Sequence, residues 1–269
     1  MSSKESDGMY RVNEIFYSLQ GEGYHTGRAA VFIRFAGCNL RCPFCDTDFD
    51  SYTDMTAEQI LAAISDYPSR FVVLTGGEPT LQVTEPFIDL LHQHGYEVAM
   101  ESNGTRPAPK NLDWLTVSPM NIDGKWMVDR FWWIVDSGWW IEDRFWWMVD
   151  GGWWIEDSDK GMVDSDKWIE DGEEKIPNEI KLVFDEDTPA KLSSIHYPPS
   201  TIHQKKSTIH KKIHHPPSTI HQTIHLFLQP CDTGDPERNK RIVHDCIEYI
   251  KEHPKWRLSL QTHKLTGIQ

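Results

Sequence analysis

The stretch Cys38-Asn39-Leu40-Arg41-Cys42-Pro43-Phe44-Cys45 holds three cysteines in the spacing C-x3-C-x2-C. Thiolates are soft ligands that bind iron–sulfur clusters and zinc. A structural zinc site usually takes four protein ligands, and the two remaining cysteines, Cys231 and Cys246, share no such spacing. Three cysteines on a cubane cluster leave one iron open for a small molecule. The spacing therefore favours an iron–sulfur cluster, with a zinc knuckle as the alternative.

Outside this loop, the chain alternates between apolar, strand-like runs and helical segments. Such alternation predicts an α/β fold with a parallel sheet or barrel. Ligands of these folds bind at the carboxyl ends of the strands. Five motifs directly follow an apolar run, so we expect one site built from the cysteine loop, Gly76-Gly77-Glu78-Pro79, Glu101–Thr105, Ser118-Pro119 and Gln229-Pro230.

The same patterns predict the individual elements. Strands are expected at residues 9–18, 29–37, 71–75, 96–100, 113–117, 179–184, 225–228 and 256–260. Helices are expected from a capping box at Thr56–Gln59 to about residue 67, over 84–94 with Gly95 as its stop, and over 236–252. The apolar stripe of the last helix includes Cys246, which we therefore place in the core as a small hydrophobe.

Composition limits the classes of function. The 269 residues suffice for one large domain, and a formal net charge of -14 argues against a nucleic-acid surface. No apolar run reaches the roughly 20 residues of a membrane span, and the N-terminus has no apolar signal core. Five cysteines, three of them clustered, favour a reducing cytoplasm over a disulfide framework.

A tryptophan-rich heptad repeat fills residues 123–171, inside an insertion at 121–175. It holds ten of the twelve tryptophans, but adjacent Trp pairs do not form the a/d seam of a coiled coil. Short strands joined by glycine-containing turns are the better prediction. A poorly ordered insert is the alternative.

A second low-complexity insertion occupies residues 190–225 and is rich in histidine and proline. The segment PPSTIHQ occurs at 198–204 and again at 216–222, and seven of the 13 histidines fall in 196–225. Such a tract can bind metal, but a disordered linker is the simpler prediction. Both insertions interrupt what we predict to be a single domain over residues 1–269.

The cysteine spacing, with Phe44 before the third cysteine, resembles that of the radical S-adenosylmethionine enzymes. In that superfamily S-adenosylmethionine chelates the open iron and is cleaved reductively to a 5′-deoxyadenosyl radical. The flanking motifs resemble one family in particular, the 7-carboxy-7-deazaguanine synthases. The likeness covers residues 9–120, about 176–190 and 226–269, and rests on SLQGEG, Cys45-Asp46-Thr47, TGGEP, ESNGT, LQP and LSLQTHK.

This resemblance implies a partial, modified (β/α) barrel that carries a 4Fe–4S cluster, S-adenosylmethionine and Mg²⁺. It implies a lyase of queuosine and deazapurine biosynthesis that converts 6-carboxy-5,6,7,8-tetrahydropterin to 7-carboxy-7-deazaguanine with loss of ammonia. The partners it implies are the small pterin substrate, an electron donor such as flavodoxin, and a second copy of the chain in a homodimer.

The resemblance also assigns roles to residues. It implies cluster binding and catalysis by Cys38, Cys42 and Cys45, and Mg²⁺ binding by Thr47, whose oxygen suits a hard cation. The S-adenosylmethionine pocket would contain Phe44, Cys45, Asp46, Gly77, Glu78, Ser102, Ser118 and Gln229. The pterin would contact Leu19, Gln20, Gly21, Glu22, Arg34 and Thr75. One departure is Met120, which stands where the family usually has lysine.

Three other hypotheses remain at this point. An activating enzyme for glycyl-radical proteins shares the cysteine spacing, although SLQGEG and Cys45-Asp46-Thr47 argue against it. A non-catalytic zinc or iron–sulfur module would contain metal without turnover, and zinc without iron or sulfide would identify a zinc module. Finally, the expanded chain could keep the family's motifs without its activity.

Overall fold

A computed structural model describes residues 8–42, 45, 50–122, 125–127, 140–141, 144–149, 152–156, 175, 177–192, 201–205 and 219–268. Its strands are β1 (Met9–Leu19), β2 (Ala29–Phe35), β3 (Thr53–Thr56), β4 (Phe71–Gly76), β5 (Glu97–Ser102), β6 (Trp114–Val117), β7 (Met120–Ile122), β8 (Lys125–Met127), β9 (Trp140–Ile141), β10 (Arg144–Val149), β11 (Gly152–Glu156), β12 (Glu179–Phe184), β13 (Thr201–Lys205), β14 (Thr219–Thr223), β15 (His225–Pro230) and β16 (Trp256–Leu258).

Nine of these strands form one sheet in the order β16-β15-β12-β6-β5-β4-β2-β1-β3. The seven strands from β16 to β2 pair in parallel, whereas β1 pairs antiparallel with both β2 and β3. The sheet remains open, with β16 and β3 at its edges. This is the partial barrel that the sequence predicts.

The helices are α1 (Ala57–Ile64), α2 (Glu85–Gln93), α3 (Thr188–Leu192), α4 (Pro236–Glu252) and α5 (Thr262–Thr266). The predicted capping box opens α1: Gln59 N donates to Thr56 Oγ1 over 3.2 Å, and Thr56 N donates to Gln59 Oε1 over 2.8 Å. Gly95, with φ 78°, follows the end of α2 as predicted. No helix of the described part is long and apolar enough to cross a membrane.

The two faces of the sheet carry different side chains, because strand residues alternate in direction. On one face, residues such as Ile33, Leu74 and Met100 pack in one core cluster with Ile60, Ile88 and other residues of α1 and α2. A second cluster on β12 and β15 packs against α4 and includes Cys246, which is fully buried as predicted. The opposite face carries a smaller apolar cluster with Phe16, Phe32 and Phe71, and the cavity described below lies on that side, lined by both apolar and polar residues.

The insertions contain short antiparallel strands in the parts that are described. Strand β7 pairs with β8, and β10 pairs with both β9 and β11, which agrees with the strands predicted for the tryptophan repeat. In the second insertion β13 pairs with β14, and both carry the sequence Thr-Ile-His-Gln. The prediction of a disordered linker is wrong for these two segments, because β-branched Thr and Ile favour cross-strand pairing.

Candidate active site

A cavity of about 640 Å³ lies at the carboxyl ends of the parallel strands. All five motifs contribute to its wall, as the strand pattern predicts. Of the residues assigned by resemblance, the wall contains Leu19, Gln20, Gly21, Glu22, Arg34, Cys38, Cys42, Cys45, Thr75, Gly77, Ser102, Ser118 and Gln229. Phe44, Asp46 and Thr47 lie outside the described residues, so their assignments stay predictions.

The three clustered cysteines lie on this cavity. Cys38 and Cys42 are half-buried, and Cys45 is exposed. Burial raises the pKa of the Cys38 and Cys42 thiols, and the neighbouring thiol of Cys45 raises both further. A bound metal that replaces the thiol protons would offset the electrostatic repulsion between neighbouring thiolates. The donor set therefore fits an iron–sulfur cluster held by three sulfurs.

A glycine pair joins the loop after β4 to the start of the cysteine loop. Gly77 N donates to Phe35 O over 2.9 Å, and Glu78 N donates to Gly37 O over 2.8 Å. Gly76 has φ 112°, in the left-handed region that favours glycine. A Cβ atom on Gly77 would overlap the carbonyl oxygen of Gly37. The backbone of Gly76 and Gly77 can approach the backbone of residues 35–37 this closely only because neither glycine carries a Cβ atom.

Glu78 is completely buried, and it is not among the described residues that line the cavity. Its Oε1 accepts from Thr80 N over 3.1 Å, from Thr80 Oγ1 over 2.6 Å and from Ser102 Oγ over 2.8 Å. Its Oε2 accepts from Asn103 N over 2.7 Å. The structure thus places this carboxylate behind the wall, where it fixes the residues that form the wall.

Asn103 connects the loop after β5 to the cysteine loop. Its Nδ2 donates to Asn39 Oδ1 over 3.0 Å and lies 3.9 Å from Cys38 Sγ. Asn39 Nδ2 in turn donates to Thr105 Oγ1 over 2.7 Å. The cluster loop is therefore attached to both the Gly-Gly loop and the ESNGT loop, which sets the sulfurs beside the predicted S-adenosylmethionine residues.

The same cavity is lined by a charged network, called its floor here, made of Gln20, Glu22, Glu101, Lys181 and Gln261. The ammonium of Lys181, on β12, contacts the carboxylate of Glu22 closely and lies 3.1 Å from Glu101 Oε2. Gln20 Nε2 donates to Glu101 Oε1 over 2.8 Å, and Gln261 Nε2 donates to Glu22 Oε1 over 3.0 Å. Sequence reasoning singled out Gln20 and Glu22, and it placed Glu101 and Gln261 in motifs without giving them a role, but it missed Lys181. Polar residues inside otherwise apolar strands were the available signal for Glu101 and Lys181.

The C-terminal segment closes this floor against the loop after β1. Ser259 Oγ donates to Gln229 Oε1 over 2.9 Å and accepts from Gly23 N over 3.0 Å. Thr262 N donates to Gly21 O over 3.0 Å. His263 also lines the cavity, and a Cβ on Gly21 would overlap its ring. The motifs SLQGEG and LSLQTHK, far apart in sequence, are therefore parts of one wall.

Arg34 and Thr75 occupy neighbouring strands at matched register on another wall. Arg34 Nε lies 3.0 Å from Glu14 Oε1 without the alignment of a hydrogen bond. Its guanidinium lies 5.5 Å from the centre of the Phe16 ring. The arginine thus lies on the cavity wall with a carboxylate and an aromatic ring beside it.

Met120 lines the cavity next to Ser118, at the point where the tryptophan repeat begins. The described strands of the repeat from β9 to β11 form a separate small sheet. We expect replacement of residues 123–171 by a short Gly/Ser linker to preserve S-adenosylmethionine binding and to improve solubility. Calorimetry on the reconstituted protein measures this, and a loss greater than about 1.4 kcal/mol, or tenfold in affinity, would show that the repeat contributes to the pocket.

Comparisons with known proteins agree with this geometry. The family model described as the Radical SAM superfamily matches residues 32–121. A 7-carboxy-7-deazaguanine synthase of Nitratidesulfovibrio vulgaris is 47% identical, over 96% of this chain and 99% of the relative. Another, from Bacteroides thetaiotaomicron, is 36% identical over 97% of this chain and 100% of the relative. The chain belongs to the 7-carboxy-7-deazaguanine synthase family.

A solved structure supports the same fold for this synthase family member. The crystal structure of QueE from Escherichia coli matches with a TM-score of 0.57 and 24% identity, and covers 95% of this chain and 98% of that one. The predicted radical S-adenosylmethionine fold is thereby confirmed. Membership in the superfamily implies an enzyme that uses a 4Fe–4S cluster and S-adenosylmethionine on a small-molecule substrate. The relatives of 36% and 47% identity place the chain in the synthase family, and so favour this function over a glycyl-radical activating enzyme and over a non-catalytic module.

Proposed function

We propose that the chain converts 6-carboxy-5,6,7,8-tetrahydropterin to 7-carboxy-7-deazaguanine with loss of ammonia. The observation that carries this proposal is one cavity whose wall contains three thiols and whose floor contains two carboxylates, a lysine and two amides. The full-length similarity to 7-carboxy-7-deazaguanine synthases supports it.

The proposed roles follow from the chemistry of the wall. When bound, the cluster and S-adenosylmethionine supply the radical that starts the reaction. Glu22 and Glu101 offer carboxylate oxygens to the amino and ring N–H groups of a pterin, while Arg34 can pair with its carboxylate group. Ser102, Ser118 and Gln229 lie on the same wall and would contact S-adenosylmethionine.

An anaerobic assay tests the proposal. The reconstituted protein is incubated with the carboxy-tetrahydropterin, S-adenosylmethionine and a strong reductant, and the expected products are 7-carboxy-7-deazaguanine and ammonia. The control omits the pterin, so that it measures uncoupled cleavage of S-adenosylmethionine. Cleavage without conversion of the pterin would contradict the proposed reaction while leaving the radical chemistry in place.

We further propose that the reaction needs Mg²⁺, that an electron donor such as flavodoxin reduces the cluster in the cytoplasm, and that the chain is a homodimer. The similarity to the synthase family supports these proposals. Analytical ultracentrifugation tests the dimer, and reduction of the cluster by purified flavodoxin tests the donor.

The magnesium proposal yields a prediction for Thr47, two residues after the last cluster cysteine. Thr47→Val keeps the shape of the side chain and removes its oxygen, which is a suitable Mg²⁺ ligand. We expect the cluster and the reductive cleavage of S-adenosylmethionine to survive. Turnover of the pterin should fall, and its dependence on Mg²⁺ should weaken or move to higher concentration. Steady-state assays over a range of Mg²⁺ concentrations measure both effects.

Thr47→Ser is the matched control, because it retains the hydroxyl group and should respond to Mg²⁺ like the parent protein. The metal role would have to be withdrawn if Thr47→Val matched the parent in turnover and in Mg²⁺ response. In that case the hydroxyl would be bonded to nearby backbone instead.

A further inference from the structure

Lys181 is a buried charge on the floor of the cavity. It lies on β12 between Ile180 and Leu182, which point to the opposite face and pack in the core below α4. The Lys181 side chain is only 6% exposed, and its ammonium contacts the carboxylates of both Glu22 and Glu101. An isolated buried ammonium would be strongly unfavourable, so these two carboxylates account for its place here.

The other carboxylate oxygen of Glu22 and of Glu101 also accepts a hydrogen bond. Glu22 Oε1 accepts from Gln261 Nε2 over 3.0 Å, and Glu101 Oε1 accepts from Gln20 Nε2 over 2.8 Å. Gln20 Oε1 in turn accepts from Glu22 N over 3.2 Å. The five side chains therefore form one chain of contacts, with Lys181 at its centre. Neither carboxylate can rotate without losing a partner.

The electrostatics of this arrangement depend on the lysine. Burial opposes its charge, but Glu101 and Glu22 outweigh burial and raise the pKa of the Lys181 ammonium. Burial alone would raise the pKa of Glu22, yet Lys181 reverses the effect and lowers it. Two other titratable groups face this trio: Glu179 on the same strand, and His263 from the C-terminal segment. Without Lys181, two partly buried carboxylates would face each other and repel.

We propose that Lys181 is a positioning residue that holds Glu22 and Glu101 side by side as an ionised pair, aimed at the N–H donors of the pterin. The identity of the ligand rests on the function proposed above. The ionisation of the pair is a property of the protein alone, so the two ideas can fail separately.

The first test uses no ligand. We compare the parent protein with Lys181→Met in a pH titration followed by carbon-13 NMR of labelled glutamate carboxyl groups. Glu22→Gln, Glu101→Gln and Glu179→Gln assign the signals. In Lys181→Met the Glu22 carboxyl should titrate at higher pH than in the parent, because the positive charge that lowers the pKa of Glu22 is gone. Unchanged titration of Glu22 would overturn the proposal.

The matched control is Lys175→Met. Lys175 is also partly buried, and it donates to Leu112 O over 2.7 Å, away from the cavity. Lys175→Met should leave the titration of Glu22 unchanged. Lys181→Arg keeps the positive charge and should restore the parent titration, which a purely packing role would not predict.

The second test measures binding of 6-carboxy-5,6,7,8-tetrahydropterin against pH. A protonated carboxyl loses an acceptor, so below the raised pKa the affinity of Lys181→Met should fall by about tenfold for each pH unit relative to the parent. Both profiles are measured in the Glu179→Gln background, because burial raises the pKa of Glu179 to about 7 while Lys181 lowers it, so this group would titrate differently in the two proteins. A profile that parallels the parent would overturn the proposal.

Two further outcomes are informative. If the parent does not bind the pterin at all, the proposed function fails, while the ligand-free titration still decides the role of Lys181. If Lys181→Met does not fold, the double variant Lys181→Met/Glu101→Gln removes the second charge. Recovery of folding would support the electrostatic role, whereas continued failure would overturn it and leave packing as the function of Lys181.

Discussion

Changing Cys42 to alanine should abolish both the brown absorbance of the iron–sulfur cluster and the reductive cleavage of S-adenosylmethionine. Cys38, Cys42 and Cys45 lie on one cavity, and the chain offers no fourth cysteine with suitable spacing. Without Cys42 the loop supplies only two thiolates, which are too few to hold a cubane cluster. Visible absorbance, iron and sulfide content, and S-adenosylmethionine cleavage after anaerobic reconstitution measure the effect.

Cys231→Ala is the control for this experiment. Cys231 is half-buried and lines the same cavity, so it matches Cys42 in exposure and in position near the site. It should keep a full complement of iron and sulfide. The assignment of a three-cysteine cluster would be wrong if Cys42→Ala retained the cluster or Cys231→Ala lost it.

The central sheet could be predicted because its strands are buried on both faces. Such strands are continuous apolar runs, which stand out against polar surroundings. The bounds of β12 and α4 match the prediction, and those of β1 and β4 differ by one residue. The apolar stripe of α4 correctly placed Cys246 in the core.

Two of the short elements that escaped sequence reasoning, β3 and α5, form through tertiary contacts. Strand β3 has the sequence TDMT, with no apolar run, and it forms by pairing with the start of β1. Helix α5 has five residues, too few to be stable alone. Its first residue, Thr262, is bound to Gly21 through both N and Oγ1.

The residues of the candidate site also fall into two groups: those that a local sequence motif reveals, and those that only the fold brings together. The cysteine loop, the Gly-Gly loop and SLQGEG are local motifs, so their residues could be named before their positions were known. Glu101 and Lys181 are 80 residues apart in sequence, and only the register of the sheet brings them together. No local sequence pattern indicates that these two side chains line the same floor of the cavity. The roles of Phe44, Asp46 and Thr47 stay predictions.

Glu78 shows a further limit of motif reasoning. The motif identifies a glutamate beside the S-adenosylmethionine pocket, but it does not state which way the carboxylate points. In the structure it points away from the cavity and accepts hydrogen bonds from Thr80, Ser102 and Asn103. It therefore acts on the pocket through the loops after β4 and β5.

This position makes Glu78 the second site where we expect a large effect. Glu78→Ala leaves four buried or partly buried donors without their acceptor. Each unsatisfied buried group costs about 1–3 kcal/mol, so the free energy of unfolding should fall by about 3 kcal/mol or more. Ser102 and Asn103 lose their anchor, so S-adenosylmethionine affinity should fall as well. Urea unfolding and calorimetry on the reconstituted protein measure the two effects.

Two further variants separate this explanation from a general effect of losing a carboxylate. Glu78→Gln can direct its oxygen to Thr80 and Ser102, so its amide group conflicts only with Asn103 N, and its loss of stability should be smaller than that of Glu78→Ala. Glu252, at the exposed end of α4, is the matched surface carboxylate, and Glu252→Ala should change stability by no more than about 0.5 kcal/mol. Equal stability and equal S-adenosylmethionine affinity in Glu78→Ala and the parent would show that the loops hold their positions without this carboxylate.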